Sequence, residues 1–132
     1  MLLPVTTTSV YAALLALLFL GLSLRAMLGR KRARVPFGEA ASEELRRRLR
    51  AHANFAEYVP LAVILMGLLE LQGAGAIILN LIGLLLLAGR LAHGYGISRI
   101  PEDTRARILG MGLTFAAMII SILSLVAIAL FG

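Results

Sequence analysis

The sequence predicts an all-α integral membrane protein, an antiparallel bundle of four transmembrane helices. Of the 132 residues, 60% are hydrophobic and 15% are charged, whereas soluble domains average about 45–50% apolar and about 25% charged residues. Four apolar segments each approach or exceed the roughly 20 residues that a helix needs to cross a bilayer. The basic residues, in addition, cluster beside only two of the three connections between these segments.

The first helix is expected over about residues 5–28. No basic residue precedes its apolar run, and Arg25 follows that run directly, where a signal peptide would have small residues at a cleavage site. We therefore interpret this segment as a membrane span and not as a secretory signal.

The second helix is expected over about residues 42–71. Ser42 is a suitable N-cap, and Glu43 and Glu44 then lie in the first turn, where the helix dipole favours negative charge. Pro60, inside this helix, cannot donate a hydrogen bond to the carbonyl of Ala56, which predicts a kink.

The third and fourth helices are expected over about residues 76–97 and 101–131. A short Gln-Gly-Ala-Gly turn separates the second helix from the third. Pro101 suits the first position of the fourth helix, with Glu102 and Asp103 in its first turn. We identify no linker, repeat or low-complexity tract, so residues 1–132 form a single predicted domain.

The basic residues predict the orientation of the bundle. Nine flank the first connection and four flank the third, which accounts for all 13, while Glu70 is the only charged side chain predicted on the opposite side. The nine are Arg25, Arg30, Lys31, Arg32, Arg34, Arg46, Arg47, Arg48 and Arg50, and the four are Arg90, Arg99, Arg105 and Arg107. By the positive-inside rule, the arginine-rich connections are cytoplasmic and both termini face away from the cytoplasm.

Composition also limits the classes of function. The chain has no Cys, which excludes disulfides and thiolate chemistry of its own, and with two His and no dense acidic cluster we expect no metal site. A net charge of +6 would suggest nucleic acid in a soluble protein. Here membrane topology explains the charge, so we expect membrane lipids as partners and no nucleic acid.

Three polar residues of the second helix form the first candidate site. Arg50, Asn54 and Glu57 lie at spacings of four and three residues. Around the helix axis, Asn54 is rotated by about 40° and Glu57 by about −20° from Arg50, so the three side chains share one stripe. Asn54 alone could serve only to form a hydrogen bond between two helices. Glu57, however, must find a partner, stay protonated or meet a ligand, and we favour function for it. His52 points about 200° away from Arg50, toward another helix or a neighbouring subunit.

A second cluster lies at the same predicted membrane boundary. Arg90 and His93 share a helix face, with Tyr95 and Arg99 following. Guanidinium groups, an amide and a carboxylate together suit a small anionic ligand that also carries an ammonium group, because arginines bind carboxylates in a bidentate manner.

These residues resemble the MAPEG family, the membrane-associated proteins of eicosanoid and glutathione metabolism, and are closest to its short bacterial members. The strongest match is the run RAHANFAEYVP from Arg50 to Pro60, supported by GRLAH from Gly89 to His93. The resemblance implies a homotrimer in the membrane, with glutathione bound between adjacent subunits near the cytoplasmic face. The location it implies is the bacterial inner membrane.

The resemblance also implies roles for individual residues. Arg50, Asn54, Glu57 and Tyr58 would line the glutathione pocket from one subunit, and His52 from its neighbour. Because the second cluster ends at the same membrane boundary, we also expect Arg90, His93 and Tyr95 to contribute to the binding site. An arginine at the start of the fourth helix would stabilise the thiolate, and Arg107 is preferred here to Arg105. A departure is Ile97, because eicosanoid-forming members have a tyrosine at this position.

Three functions follow as hypotheses. The first is a glutathione transferase or peroxidase. In it, an arginine stabilises the thiolate of a thiol whose ordinary pKa is about 8.5, and this thiolate attacks a small lipophilic electrophile or hydroperoxide. The second is a non-enzymatic membrane protein that binds lipid or a thiol metabolite. The third is a proton-coupled exporter, since an intramembrane glutamate can carry protons.

Overall fold

The computed structural model describes residues 5–36 and 42–132, and in these ranges it contains four helices and no strand. The helices are α1 (Thr6–Ala33), α2 (Glu43–Leu71), α3 (Ala76–Ser98) and α4 (Thr104–Phe131). All four are long and apolar enough to cross a membrane. The predicted fold class, an all-α bundle of four transmembrane helices, is confirmed.

α1 ends five residues later than the sequence predicted. Its last turn contains Arg30, Lys31 and Arg32, and Arg34 closes the helix in the left-handed conformation with φ 55°. Cations in a last turn interact favourably with the helix dipole, so the helix continues beyond its apolar run into the basic segment.

α2 begins as the sequence predicted. The side chain of Ser42 accepts a hydrogen bond from the backbone N–H of Leu45 at 3.2 Å, which satisfies one of the free donors of the first turn. The helix then continues through Pro60 to Leu71 without a break.

α4 begins three residues later than expected, and the proposed role of Pro101 as its first residue is wrong. Asp103 is the N-cap, because its carboxylate accepts a hydrogen bond from the N–H of Ala106 at 3.0 Å. Pro101 and Glu102 therefore belong to the connection from α3, and Glu102 is free to contact other helices.

The helices pack around α2 and α3. α1 contacts α2 and α3, α4 contacts the same two helices, and within the described residues no Cα atom of α1 lies within 8 Å of one of α4. α3 and α4 approach closely where Gly89 faces Gly110, because a Cβ atom on either glycine would meet the backbone of the other helix. The apolar core includes Leu15, Phe55, Met66 and Leu86.

The end of the bundle opposite the arginines has its own polar contacts. The carboxylate of Glu70 on α2 accepts hydrogen bonds from the backbone N–H groups of Thr7 and Thr8 at 2.8 and 2.7 Å. Glu70 thus satisfies free donors at the start of α1 and fastens that helix to α2. The end at which α2 and α4 begin is called the arginine-rich end below.

Candidate functional site

A cleft of about 420 Å³ opens between α2, α3 and α4 toward the arginine-rich end. We call it the polar cleft. It is lined by Arg50, Asn54, His93, Ile97, Arg107, Ile108, Met111, Gly112 and Phe115. One part of its wall is cationic and amidic, and the part formed by α4 is apolar, with Ile108 63% and Phe115 44% exposed. Such a cleft can receive a ligand with both an anionic and a lipophilic portion.

The stripe predicted on α2 divides between two environments. Asn54 is 9% exposed and contacts α3, whereas the side chains of Arg50 and Glu57 are 58% and 53% exposed. Arg50 Nη1 lies 3.9 Å from Glu57 Oε1, at the limit of an ion pair. The two charges therefore remain available for additional contacts on the flank of the bundle.

Arg90 is almost completely buried behind the polar cleft, with 1% of its surface exposed. Its Nη2 donates a hydrogen bond to Asn54 Oδ1 at 2.6 Å and lies 3.4 Å from Nδ1 of His93. Its Nη1 donates to Thr114 Oγ1 at 3.4 Å, and its guanidinium lies 5.6 Å from the ring centroid of Phe55. Arg90 thus connects α2, α3 and α4, and it is a member of the packed interior and not of the cleft surface.

Arg107, and not Arg105, lies in the cleft wall. Arg107 Nε is 2.5 Å from Glu102 Oε1, and the other carboxylate oxygen of Glu102 is 3.6 Å from Nη1 of Arg47. Arg105 is exposed and is not among the residues that line the polar cleft. The difference follows from geometry, since two residues of a helix turn the side chain by about 200°.

A smaller cleft of about 290 Å³ adjoins the polar cleft at the arginine-rich end. It shares Arg50, Ile97 and Arg107 with the polar cleft. Its remaining lining residues are Glu43, Arg46, Arg47 and Glu102. The four arginines outnumber the two glutamates, so the surroundings of this entrance attract anions.

Three further predicted site residues lie outside the polar cleft of the single chain. His52 stacks on Phe19 of α1, with ring centroids 4.9 Å apart. Tyr58 meets Phe115 edge-on at 5.6 Å, directly beside the cleft. Tyr95 is exposed and its hydroxyl accepts a hydrogen bond from Arg99 at 3.2 Å.

Sequence reasoning predicted Arg107 but missed the apolar residues of α4 and the part played by Glu102. Ile108, Met111 and Phe115 line the cleft, but in the sequence they look like any other apolar residues of a membrane helix. Thr114 was the available signal, because a polar side chain in the middle of an apolar helix has to find a partner.

The four helices and the basic cleft define an integral membrane protein with a polar site at one end of its bundle. The MAPEG family matches residues 8–127, and the chain therefore belongs to the MAPEG family. The chain is 36% identical over 117 residues to the inner membrane protein YecN of Escherichia coli strain K12, covering 89% of this chain and 88% of that protein. It has the same identity and coverage with YecN of Escherichia coli O6:H1 strain CFT073. This relationship supports an integral position in the inner membrane.

Proposed function

We propose that this protein binds glutathione in the polar cleft and uses it as a transferase or peroxidase against lipophilic electrophiles or hydroperoxides. The observation that carries the proposal is the convergence of Arg50, Asn54, His93 and Arg107 on one cleft that continues into an apolar wall on α4. Membership of a family that is generally related to glutathione supports it.

The residues of the site fit the charges of glutathione, which has two carboxylates, one ammonium group and one thiol. Arg50 and Arg107 offer guanidinium groups that can bind the oxygen atoms of a carboxylate or the sulfur atom of a thiolate. Glu57 offers a carboxylate for the ammonium group, at 3.9 Å from Arg50. The cationic and anionic groups of the site thus match those of the ligand in kind.

Arg107 is the proposed thiolate-stabilising residue. Glutathione, when bound, supplies the nucleophilic sulfur, and each unit by which an arginine lowers a thiol pKa corresponds to about 1.4 kcal/mol in favour of the thiolate. Arg107 is paired with Glu102. Binding of an anion beside Arg107 therefore competes with Glu102, which keeps its second contact with Arg47.

The site is proposed to be completed by a homotrimer. Glu57 lies about 21 Å from the Leu71 end of α2, at 1.5 Å per residue, within the reach of a hydrocarbon layer about 30 Å thick. Charged side chains at this depth face protein or a water-filled cavity and not lipid. The exposed pair of Arg50 and Glu57 is therefore best explained by cover from a second copy of the chain.

The assay that tests the function uses protein purified in lipid nanodiscs. Glutathione binding is measured by calorimetry, and turnover with 1-chloro-2,4-dinitrobenzene and with cumene hydroperoxide. Arg107→Ala should reduce turnover about a hundredfold or more, while Arg105→Ala, a matched change two residues earlier, should retain it. Equal loss in both variants would contradict the role of Arg107, and absence of glutathione binding by the unaltered protein would contradict the proposal as a whole.

Binding without turnover is the second candidate function. Two observations favour it: Arg107 is already paired with Glu102 at 2.5 Å, and the position of the expected tyrosine in the cleft wall is held by Ile97. Calorimetric binding of glutathione together with no conversion of any electrophile or hydroperoxide would select this function. Measurable turnover that Arg107→Ala abolishes would reject it.

A further inference from the structure

We infer that Arg90 is a positioning residue that orients Asn54 and His93 so that both present hydrogen-bond donors to the polar cleft. The inference deepens the proposed function and rests on it only for the identity of the ligand. It assigns to this wall of the cleft a preference for an anionic or acceptor group.

The argument begins with what a guanidinium can do. Arginine has five N–H donors and no acceptor, so every atom that bonds to Arg90 must be an acceptor. Asn54 is 2.6 Å from Nη2, which requires its carbonyl oxygen and not its NH₂ group to face Arg90. His93 is 3.4 Å from the same nitrogen through Nδ1, which requires that nitrogen to be unprotonated.

The other end of each side chain is then determined. An asparagine whose oxygen faces Arg90 turns its NH₂ donors the other way, and a neutral histidine without a proton on Nδ1 has it on Nε2. Asn54 and His93 both line the polar cleft. A ligand atom that contacts these free ends must therefore accept hydrogen bonds.

The charge of Arg90 acts in the same direction. No carboxylate within residues 5–36 and 42–132 lies within 4.0 Å of its guanidinium nitrogens, and its buried Nε has no hydrogen-bond partner there. Its contacts are the neutral groups of Asn54, His93, Thr114 and Met111. A buried cation without a nearby anion favours a negative group in the adjoining cleft.

Histidine NMR tests the orientation without any ligand. The chain has two His, so His52→Gln leaves His93 as the only signal in ¹⁵N-histidine-labelled protein. We expect a single tautomer with the proton on Nε2, and a mixture of tautomers when Arg90→Met is added. Arg90→Lys, which keeps a cation and a donor, should restore the Nε2 tautomer at least in part. A proton on Nδ1 in the parent, or an unchanged single tautomer in Arg90→Met, would overturn the inference.

Asn54→Asp tests the consequence for binding and does not depend on the folding of an Arg90 variant. The substitution is nearly isosteric and keeps an acceptor for Arg90, but it replaces the donors facing the cleft with an oxygen. We expect glutathione affinity to fall about tenfold or more, with no loss of thermal stability. Asn80→Asp, the same change at the exposed start of α3, should bind as the parent does. Unchanged binding by Asn54→Asp would reject the inference.

If the parent does not bind glutathione, the proposed function fails, and the tautomer experiment still decides the orientation.

Discussion

At the scale of single residues, the exposed charges of Arg50 and Glu57 on a membrane helix require an explanation. Their side chains are more than half exposed and 3.9 Å apart on a membrane helix. An exposed ion pair of this kind contributes about 0–1 kcal/mol in water, which does not explain placing two charges at the depth of a bilayer. Contact with a ligand or with a second copy of the chain gives both charges a role.

Glu57→Gln tests that role. The substitution keeps the shape of the side chain and removes the charge that would meet the ammonium group of glutathione, so affinity should fall about tenfold, corresponding to about 1.4 kcal/mol. Calorimetry in nanodiscs measures it. Glu44→Gln, which removes an exposed carboxylate of the same helix paired with Arg48 outside the polar cleft, serves as the control. Equal affinities of the two variants would remove Glu57 from the site.

The sequence carries the candidate residues but not their burial. Helical spacing places Arg50, Asn54 and Glu57 on one stripe, and this spacing cannot show that Asn54 alone turns into the interior toward Arg90. The same limit applies to Arg90. Its position in the sequence predicts an arginine at the membrane boundary, whereas in the structure it is buried among three helices. Burial depends on which helices pack against each other, and the spacing of residues within one helix does not predict that.

At the scale of helices, the contact of α3 with α4 holds the wall of the site in place. Gly89 and Gly110 permit the two backbones to approach, and this approach brings Thr114 and Arg107 of α4 to the side of α3 that carries Arg90 and His93. Small residues at a helix interface allow such close packing in membranes.

Gly110→Ala should destabilise the protein by about 1–3 kcal/mol, because the added methyl group meets the backbone of Gly89 and His93. In Gly112→Ala, on the same helix, the new methyl group would meet no atom of another described helix within 4 Å. This substitution should be neutral or stabilising by up to about 1 kcal/mol, since alanine favours helix over glycine. Thermal unfolding in detergent measures both, and equal effects would show that the close approach does not limit stability.

Helix ends were predictable only where a single signal was present. Ser42 stands alone before an acidic turn, and it is the N-cap of α2. Before α4, Pro101 and Asp103 are both valid starting signals two residues apart. The helix starts after Asp103, whose carboxylate accepts a hydrogen bond from the backbone N–H of Ala106. Local sequence cannot rank two signals of similar free energy.

At the scale of the whole molecule, α1 and α4 are separated by α2 and α3, and the basic residues gather at one end. The positive-inside rule predicts that this end is cytoplasmic. The chain contains no Cys, so single cysteines can report on topology without a background. Gln72→Cys and Gly132→Cys should react with a membrane-impermeant maleimide on intact spheroplasts, and Thr104→Cys only after lysis. The reverse pattern would contradict the predicted orientation.

The trimer has a separate test. Native mass spectrometry of protein released from nanodiscs should give a particle of three times 14.1 kDa. Replacing the exposed pair together, as Arg50→Leu and Glu57→Leu, should leave a trimer that no longer binds glutathione, because apolar side chains can still pack between copies. A monomer as the principal species of the unaltered protein would contradict a site shared between subunits.

The apolar flank of the polar cleft has a consequence for how any lipophilic ligand is presented to it. Ile108 and Phe115 are exposed on the surface of a membrane helix, so under the proposed function a lipophilic ligand would reach the cleft by diffusion within the lipid phase. Its effective concentration is then a mole fraction in the bilayer, determined by the partition coefficient and by the amount of lipid. An apparent KM expressed per volume of buffer will rise as more lipid is added at constant ligand, whereas the constant for a water-soluble partner such as glutathione will not.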